Sequence, residues 1–173
     1  MTRWTDGWDG YPATREHVLG SIRAHAVRNP LILGGDIHAA VIADVHADNI
    51  AEIIQGSAVV VDGTDNLETR FLINDICIQT GTPWVYGGAL GASGTTMTIV
   101  PGETACLRCL LEQAPPPGSL PTCDTEGVLA AITGIIASIE SAEALKLLVG
   151  LPPRRTLLTV DVWEGEFYAV QVD

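Results

Sequence analysis

Basic residues are scarce in this chain of 173 residues: 9 Lys and Arg stand against 21 Asp and Glu, a formal net charge of −12. No window holds a Lys/Arg cluster that could line up on phosphates, so nucleic-acid and anionic-membrane partners are not expected. Aromatic residues are also few, at 5%. A long uninterrupted apolar run is lacking, because the most apolar stretch, from Val128 to Val149, is broken by Glu140, Glu143 and Lys146. That pattern reads as a buried helix with one wet stripe rather than as a membrane span. The first residues, "MTRWTDGWDG", carry no apolar leader, and four cysteines in an acidic, leaderless chain point to the cytoplasm. There, C-x-x-C signals metal or redox chemistry more often than a structural disulfide. Disorder is excluded in turn, since 47% hydrophobic against 17% charged residues supplies one core.

The order of elements indicates an α/β protein. Pro12 opens a helix that Pro30 stops, "HAAVIADV" reads as a strand, and "ADNIAEIIQG" as a short helix closed by Gly56. "AVVVDG" is a continuous β-branched run, expected to be a strand buried on both faces, and "TDNLETRFLINDICIQTG" follows as a helix ending at Gly81. Two further strand candidates, "PWVYGGAL" and "TTMTIV", precede a proline-rich segment and a long helix from Gly127 to Leu148. "RTLLTVDVW" and "EFYAVQV" flank Glu164-Gly165 as a terminal hairpin. A parallel core with an antiparallel tail is the expectation.

Asp62 and Asp65 fall at the end of the buried strand, where open α/β sheets place ligands, and two carboxylates there could hold magnesium. The competing reading is that Asp65 or Asn66 only caps the next helix. "GGALGASG" is glycine-rich, but neither Lys-Ser/Thr nor a helix follows it, and "LILGGD" lacks a G-x-G-x-x-G, so neither is a phosphate cradle. Cys106 and Cys109 have the spacing of one zinc knuckle, yet a closed site needs four ligands. Neither a second C-x-x-C nor a suitably spaced histidine among His17, His25, His38 and His46 supplies the rest. Cys77, inside a helix, reads as a buried apolar thiol. Cys123 follows "EQAPPPGSLP" and precedes a helix whose positive end would favour its thiolate; an inert half-buried cysteine is the alternative.

D-G-T-D-N-x-x-x-R from Asp62, P-G-x-T-x-C-x-R-C-L from Pro101, T-C-D-T-x-G-V from Thr122 and E-A-x-K-L-L from Glu143 occur in one order. In these segments the chain resembles the ThiF/MoeB/HesA family, bacterial relatives of ubiquitin-activating enzymes, from about Thr5 to Trp163. The resemblance implies a Rossmann-like, mainly parallel sheet with helices on both faces and an antiparallel C-terminal part. The fold would be incomplete: residues 1–173 form a single partial domain, with residues 1–56 open to rearrangement and 57–173 as the main body. It also implies ATP- and magnesium-dependent adenylation of the C-terminal Gly-Gly of a ubiquitin-fold sulfur carrier, followed by sulfur transfer. Asp65 matches the magnesium and ATP aspartate, and Asn66 and Arg70 positions near the nucleotide or carrier tail. Cys106 and Cys109 match the first zinc pair, and Cys123 the loop cysteine that links covalently to the carrier.

Departures from the family pattern are expected to matter. The chain starts after the family's glycine-rich ATP loop and N-x-x-R-Q segment, has Ala13 where the family has a lysine, and ends near the second C-x-x-C. A sheet without its first strands would leave "AVVVDG" as an edge, to be covered by a second chain, a dimer mate, or residues before Gly56. The expected role is therefore a sulfur-carrier activating component whose nucleotide half lies elsewhere. The alternatives are a non-catalytic, dimerising, carrier-binding module and a remnant or fragment.

Overall fold

The computed structural model describes residues 47–113, 115–116, 121 and 123–172; the expected helix after Pro12, the strand at 38–45, Ala13 and the four histidines lie outside them. Helix α1 (Ile50–Ile54) is followed by strand β1 (Val60–Val61), helix α2 (Leu67–Thr80), strands β2 (Trp84–Leu90) and β3 (Ser93–Ile99), and the helical turn α3 (Leu107–Leu110). A second helical turn, α4 (Cys123–Glu126), precedes the long helix α5 (Ala130–Leu148) and the hairpin β4 (Thr156–Asp161) and β5 (Glu166–Gln171). The five strands make one sheet in chain order, parallel between β1 and β2 and antiparallel thereafter. The mixed α/β class and the terminal hairpin are as expected; the parallel share among the described strands is the single β1–β2 pair. Antiparallel pairing follows from the two-residue link between β2 and β3, too short for a crossover.

The sheet has helices on both faces. On one, Val60, Trp84, Met97 and Ile99 pack with Ile50 and Ile54 of α1, Phe71, Ile73 and Cys77 of α2, and Leu107 of α3. On the other, Val59, Val61 and Val85 meet Ala144, while Leu158 and Val160 meet Ile132 and Ile136 of α5. Val61 and Val85 alternate with Val60 and Trp84 between these cores, as the period of two along a strand requires. Gly81, in the left-handed region at φ 72°, ends α2 as the sequence indicates.

"GGALGASG" is a hairpin: Gly87 and Gly88 lie in β2, Gly91, at φ 59°, in the tight turn, and Gly94 in β3. Gly87 and Gly94 are there for α5. A Cβ on Gly94 would stand 2.7 Å from Ile136 Cγ1 and 2.9 Å from Ile132 Cγ1, so only a bare backbone lets the helix settle onto this part of the sheet. The face of α5 that carries Glu140 and Glu143 is turned inward, not to water as the sequence reading has it; both are only 4% exposed. Alternation of charged and apolar residues does not reveal which stripe faces a glycine-lined sheet.

Among the described residues no helix is long and apolar enough to cross a membrane. Gly94→Ala should destabilise the chain by about 1–3 kcal/mol through overpacking of Ile132 and Ile136, read as a lowered midpoint in urea unfolding.

Candidate functional site

The turn between β1 and α2 is built around Asp62. Its side chain is fully buried where the parallel pair ends, and Asp62 N–H donates to the Val85 carbonyl at 2.9 Å. Oδ1 accepts from Thr64 N at 2.8 Å and Thr64 Oγ1 at 2.7 Å, and Oδ2 accepts from Arg70 Nε at 3.0 Å. Burial pushes the Asp62 carboxyl above its usual range, and the Arg70 charge and Thr64 donors only partly offset it. Both oxygens being engaged, Asp62 is an anchor rather than a partner to Asp65 in holding magnesium.

Asn66 caps α2, Oδ1 accepting from Thr69 N at 2.8 Å, and its amide donates to Asp65 Oδ1 at 3.1 Å. Asp65 is exposed on the cleft side of this turn. Arg70 reaches back from the first turn of α2, donating through Nη2 to the Thr64 carbonyl, and lies 5.6 Å from the Tyr86 ring centroid. Nη1 faces Gly88, where a Cβ would stand 3.4 Å from it. Tyr86 in turn shares a 3.2 Å hydroxyl contact with Thr95 of β3. Asp65, Asn66, Arg70, Tyr86, Gly88 and Thr95 thus wall a cleft of about 500 Å³ that Pro115, Pro116 and Pro121 also border. Asp65, Asn66 and Arg70, expected to act together, are brought together. Tyr86, Gly88 and Thr95 carried no sequence signal, because only the β2–β3 register (Gly88 opposite Thr95) places them.

The cysteines fall in separate surroundings. Cys106 caps the start of α3 and Cys109 lies within it, their sulfurs 3.8 Å apart, and Cys106 N–H donates to Cys109 Sγ at 3.4 Å. Two thiolates on one tetrahedral zinc at Zn–S of about 2.3 Å are separated by about that distance. The pair therefore fits half of such a site, although among the described residues no group of three or more His, Cys, Asp or Glu could hold a metal ion. Buried Asn74 holds the knuckle in place, its Oδ1 accepting from Leu107 N at 2.9 Å. Arg108 chelates Asp75 at 2.6 and 2.7 Å in an exposed pair that adds orientation more than stability. Cys77 is buried and burial pushes its thiol up to about 12, the inert thiol expected. Cys123 opens α4, not the long helix; α5 begins only at Ala130, so the helix end invoked for its thiolate is seven residues further on. Its side chain lies outside what the structure describes.

A ThiF family model matches residues 33–173. The sulfur carrier protein ThiS adenylyltransferase of Bacillus subtilis is 41% identical over 125 residues, which is 72% of this chain and 37% of that enzyme. The SAMP-activating enzyme E1 of Haloferax volcanii is 44% identical over 107 residues, 62% of this chain and 39% of that enzyme. This chain thus spans about two fifths of the length of these relatives. Among solved structures, E. coli MccB with MccA-N7isoASN superposes with a TM-score of 0.62 at 13% identity, over 77% of this chain and 42% of MccB, a likeness of fold.

Two outcomes follow from this geometry. Asp62→Asn should cost about 3 kcal/mol by leaving the Arg70 guanidinium without its buried counter-charge, measured by denaturant unfolding at neutral pH. Iodoacetamide applied to the metal-free native chain should alkylate Cys106 and Cys109 and leave Cys77 unmodified until denaturant is added, as peptide mass spectrometry would read.

Proposed function

Because the chain belongs to the ThiF family, we propose that it carries the tail-binding and thiol-bearing part of an assembly that activates a ubiquitin-fold sulfur carrier. The observation that supports this most is Arg70, fixed on two sides by Asp62 and Thr64 with Nη1 left toward the cleft. A guanidinium so pre-organised suits a peptide carboxylate, since its orientation is already set before the ligand arrives. Gly88 and the adjoining strands leave room for a thin chain ending in Gly-Gly, which has no side chains to accommodate.

In this reading the residues divide the work. ATP, with magnesium, supplies the phosphoanhydride that turns the tail carboxylate into an acyl adenylate, a better electrophile. Arg70 orients the tail carboxylate, Asp65, exposed at the cleft, would take magnesium, and Asn66 keeps Asp65 and the helix start in register. The described residues contain no glycine-rich phosphate cradle, so donors to the phosphates come from outside them. Cys123 then offers its sulfur to the activated carbonyl carbon, forming a covalent link as AMP leaves. Two residues before it, Pro121 borders the cleft, which keeps the Cys123 Cα within about 7 Å of that wall. Cys106 and Cys109 would give zinc two of its four ligands, the others coming from another segment or chain. The apolar strip of Phe167, Tyr168 and Val170 on edge strand β5, each more than half exposed, suits a second chain, either the carrier body or a dimer mate.

A carrier-binding module that does not turn over ATP shares the same cleft, and one experiment separates the two. Calorimetry with a peptide ending in a free Gly-Gly acid should show binding, about tenfold weaker or more when the peptide is amidated, and no such difference for Arg70→Ala. Equal affinity for acid and amide in the parent chain would remove Arg70 from this role. ATP–pyrophosphate exchange with a whole carrier, at background both alone and with full-length relatives added, would leave only the binding module. Cys123→Ala should abolish the covalent adduct while leaving peptide binding unchanged.

A further inference from the structure

Two glutamates one helical turn apart on α5, Glu140 and Glu143, are buried to the same degree and treated differently. Burial pushes Glu143 up, but Lys146 Nζ at 2.8 Å, Arg154 N–H at 2.9 Å and Thr98 Oγ1 at 3.1 Å outweigh it and hold its carboxyl below the usual range. Glu140 receives none of this. Its Oε1 is buried without a hydrogen-bond partner among the described residues. The carboxyl rests on the backbone of Gly87, where a Cβ would stand 2.2 Å from Oε1, so the glycine makes the room it occupies.

What faces that carboxyl decides its state. From the end of β1 comes Asp62, whose charge disfavours a second anion, and from α2 comes Arg70, whose charge favours one. β2 and β3 present Gly87 and its register partner Thr96, neither of them ionisable. On its own helix, Glu143 and Lys146 are paired with each other. One guanidinium thus stands near two buried carboxyls, with Nε already given to the first.

We propose that Glu140 is a positioning residue: as a neutral acid behind the Asp62–Arg70 pair it leaves Arg70 at the cleft, and on losing its proton to solvent it competes with Asp62 for the guanidinium and draws Arg70 inward. This rests on the reading of Arg70 as the group that receives the tail carboxylate. Burial first, then the Asp62 charge, pushes Glu140 from 4.5 up to about 8, so the change falls just above neutrality. Between those values the folded chain binds a proton that the unfolded chain has released. Stability conferred by the neutral acid is full below the lower value and is lost as pH rises through the upper one.

The test uses the full chain and its Glu140→Gln variant, which keeps the shape of the neutral acid. Heteronuclear NMR of the Arg70 Nε–Cζ pair should show a titration with a midpoint near 8 in the parent chain, and none in the variant. The variant should also unfold at a temperature higher by roughly 4 °C or more at alkaline pH, with no gain in mild acid. Affinity for the free-acid Gly-Gly peptide should fall about tenfold across this range in the parent chain and stay flat in the variant. An Arg70 resonance that does not move in the parent chain, or moves identically in both, overturns the proposal. Failure of either protein to bind the peptide at any pH would instead sink the tail-binding reading, while the Arg70 resonance still decides the role of Glu140.

Discussion

A carboxylate buried at the end of a parallel strand must be met by a cation or by donors or else take a proton, and in this chain nearly everything around the cleft follows from how Asp62 is met. Leaving it unpaired would cost several kcal/mol. Arg70 is only eight residues on, so the intervening turn has to double back within Thr64 to Asn66. Thr64 donates twice to Asp62 Oδ1 and offers its carbonyl to Arg70, while Asn66 starts the helix that carries Arg70 back. Asp65 is what remains at the bend, and it is displayed outward. The guanidinium, now fixed, needs a surface, and Tyr86 and Gly88 on β2 supply a ring and a bare backbone for it to lie against.

The other face of the sheet is governed by how closely α5 can approach. Gly87 and Gly94 sit on alternate strands of one hairpin and face the same helix. Their missing side chains are filled from above, by Glu140 at one and by Ile132 and Ile136 at the other. Such close approach buries polar as well as apolar atoms, and the two glutamates show the two outcomes available to a buried carboxyl. Glu143 recruits a lysine, a hydroxyl and a backbone donor, which hold its carboxyl below the usual range; Glu140 lacks them, and burial with the neighbouring Asp62 charge pushes it up to about 8.

How much of this was legible in the sequence depended on whether neighbours along the chain or neighbours across the sheet made the feature. "AVVVDG", the stop at Gly81, the C-x-x-C turn and the terminal hairpin are local, and the structure has them. Asp65, Asn66 and Arg70 share one turn and helix start, so their proximity was readable too. Asp62 was readable as a carboxylate at a strand end, but not as one already committed to Arg70, since that requires the direction of the helix. Gly87 and Gly88 fall inside the expected strand "PWVYGGAL", but that Gly87 is bare to admit a side chain of the long helix shows only once that helix is packed above it. The stripe of Glu140, Glu143 and Lys146 misled for a related reason: charge periodicity marks a face of a helix and leaves open which way that face looks.

The proline-rich segment gains meaning from its two ends. Pro115 and Pro116 border the cleft, and so does Pro121. Pro121 holds the start of α4 near the same opening, because two residues span at most about 7 Å. Proline restricts backbone freedom, which lowers the entropy lost in holding such anchors against a polar wall. A reactive group meant to act once, on a tail already seated beside Arg70, has more to gain from this confinement than from a lowered pKa. Nearness raises its local concentration without requiring a charged environment. For Cys123, therefore, distance from the long helix is no obstacle to the role proposed, and its two-residue spacing from Pro121 is the property that role would depend on.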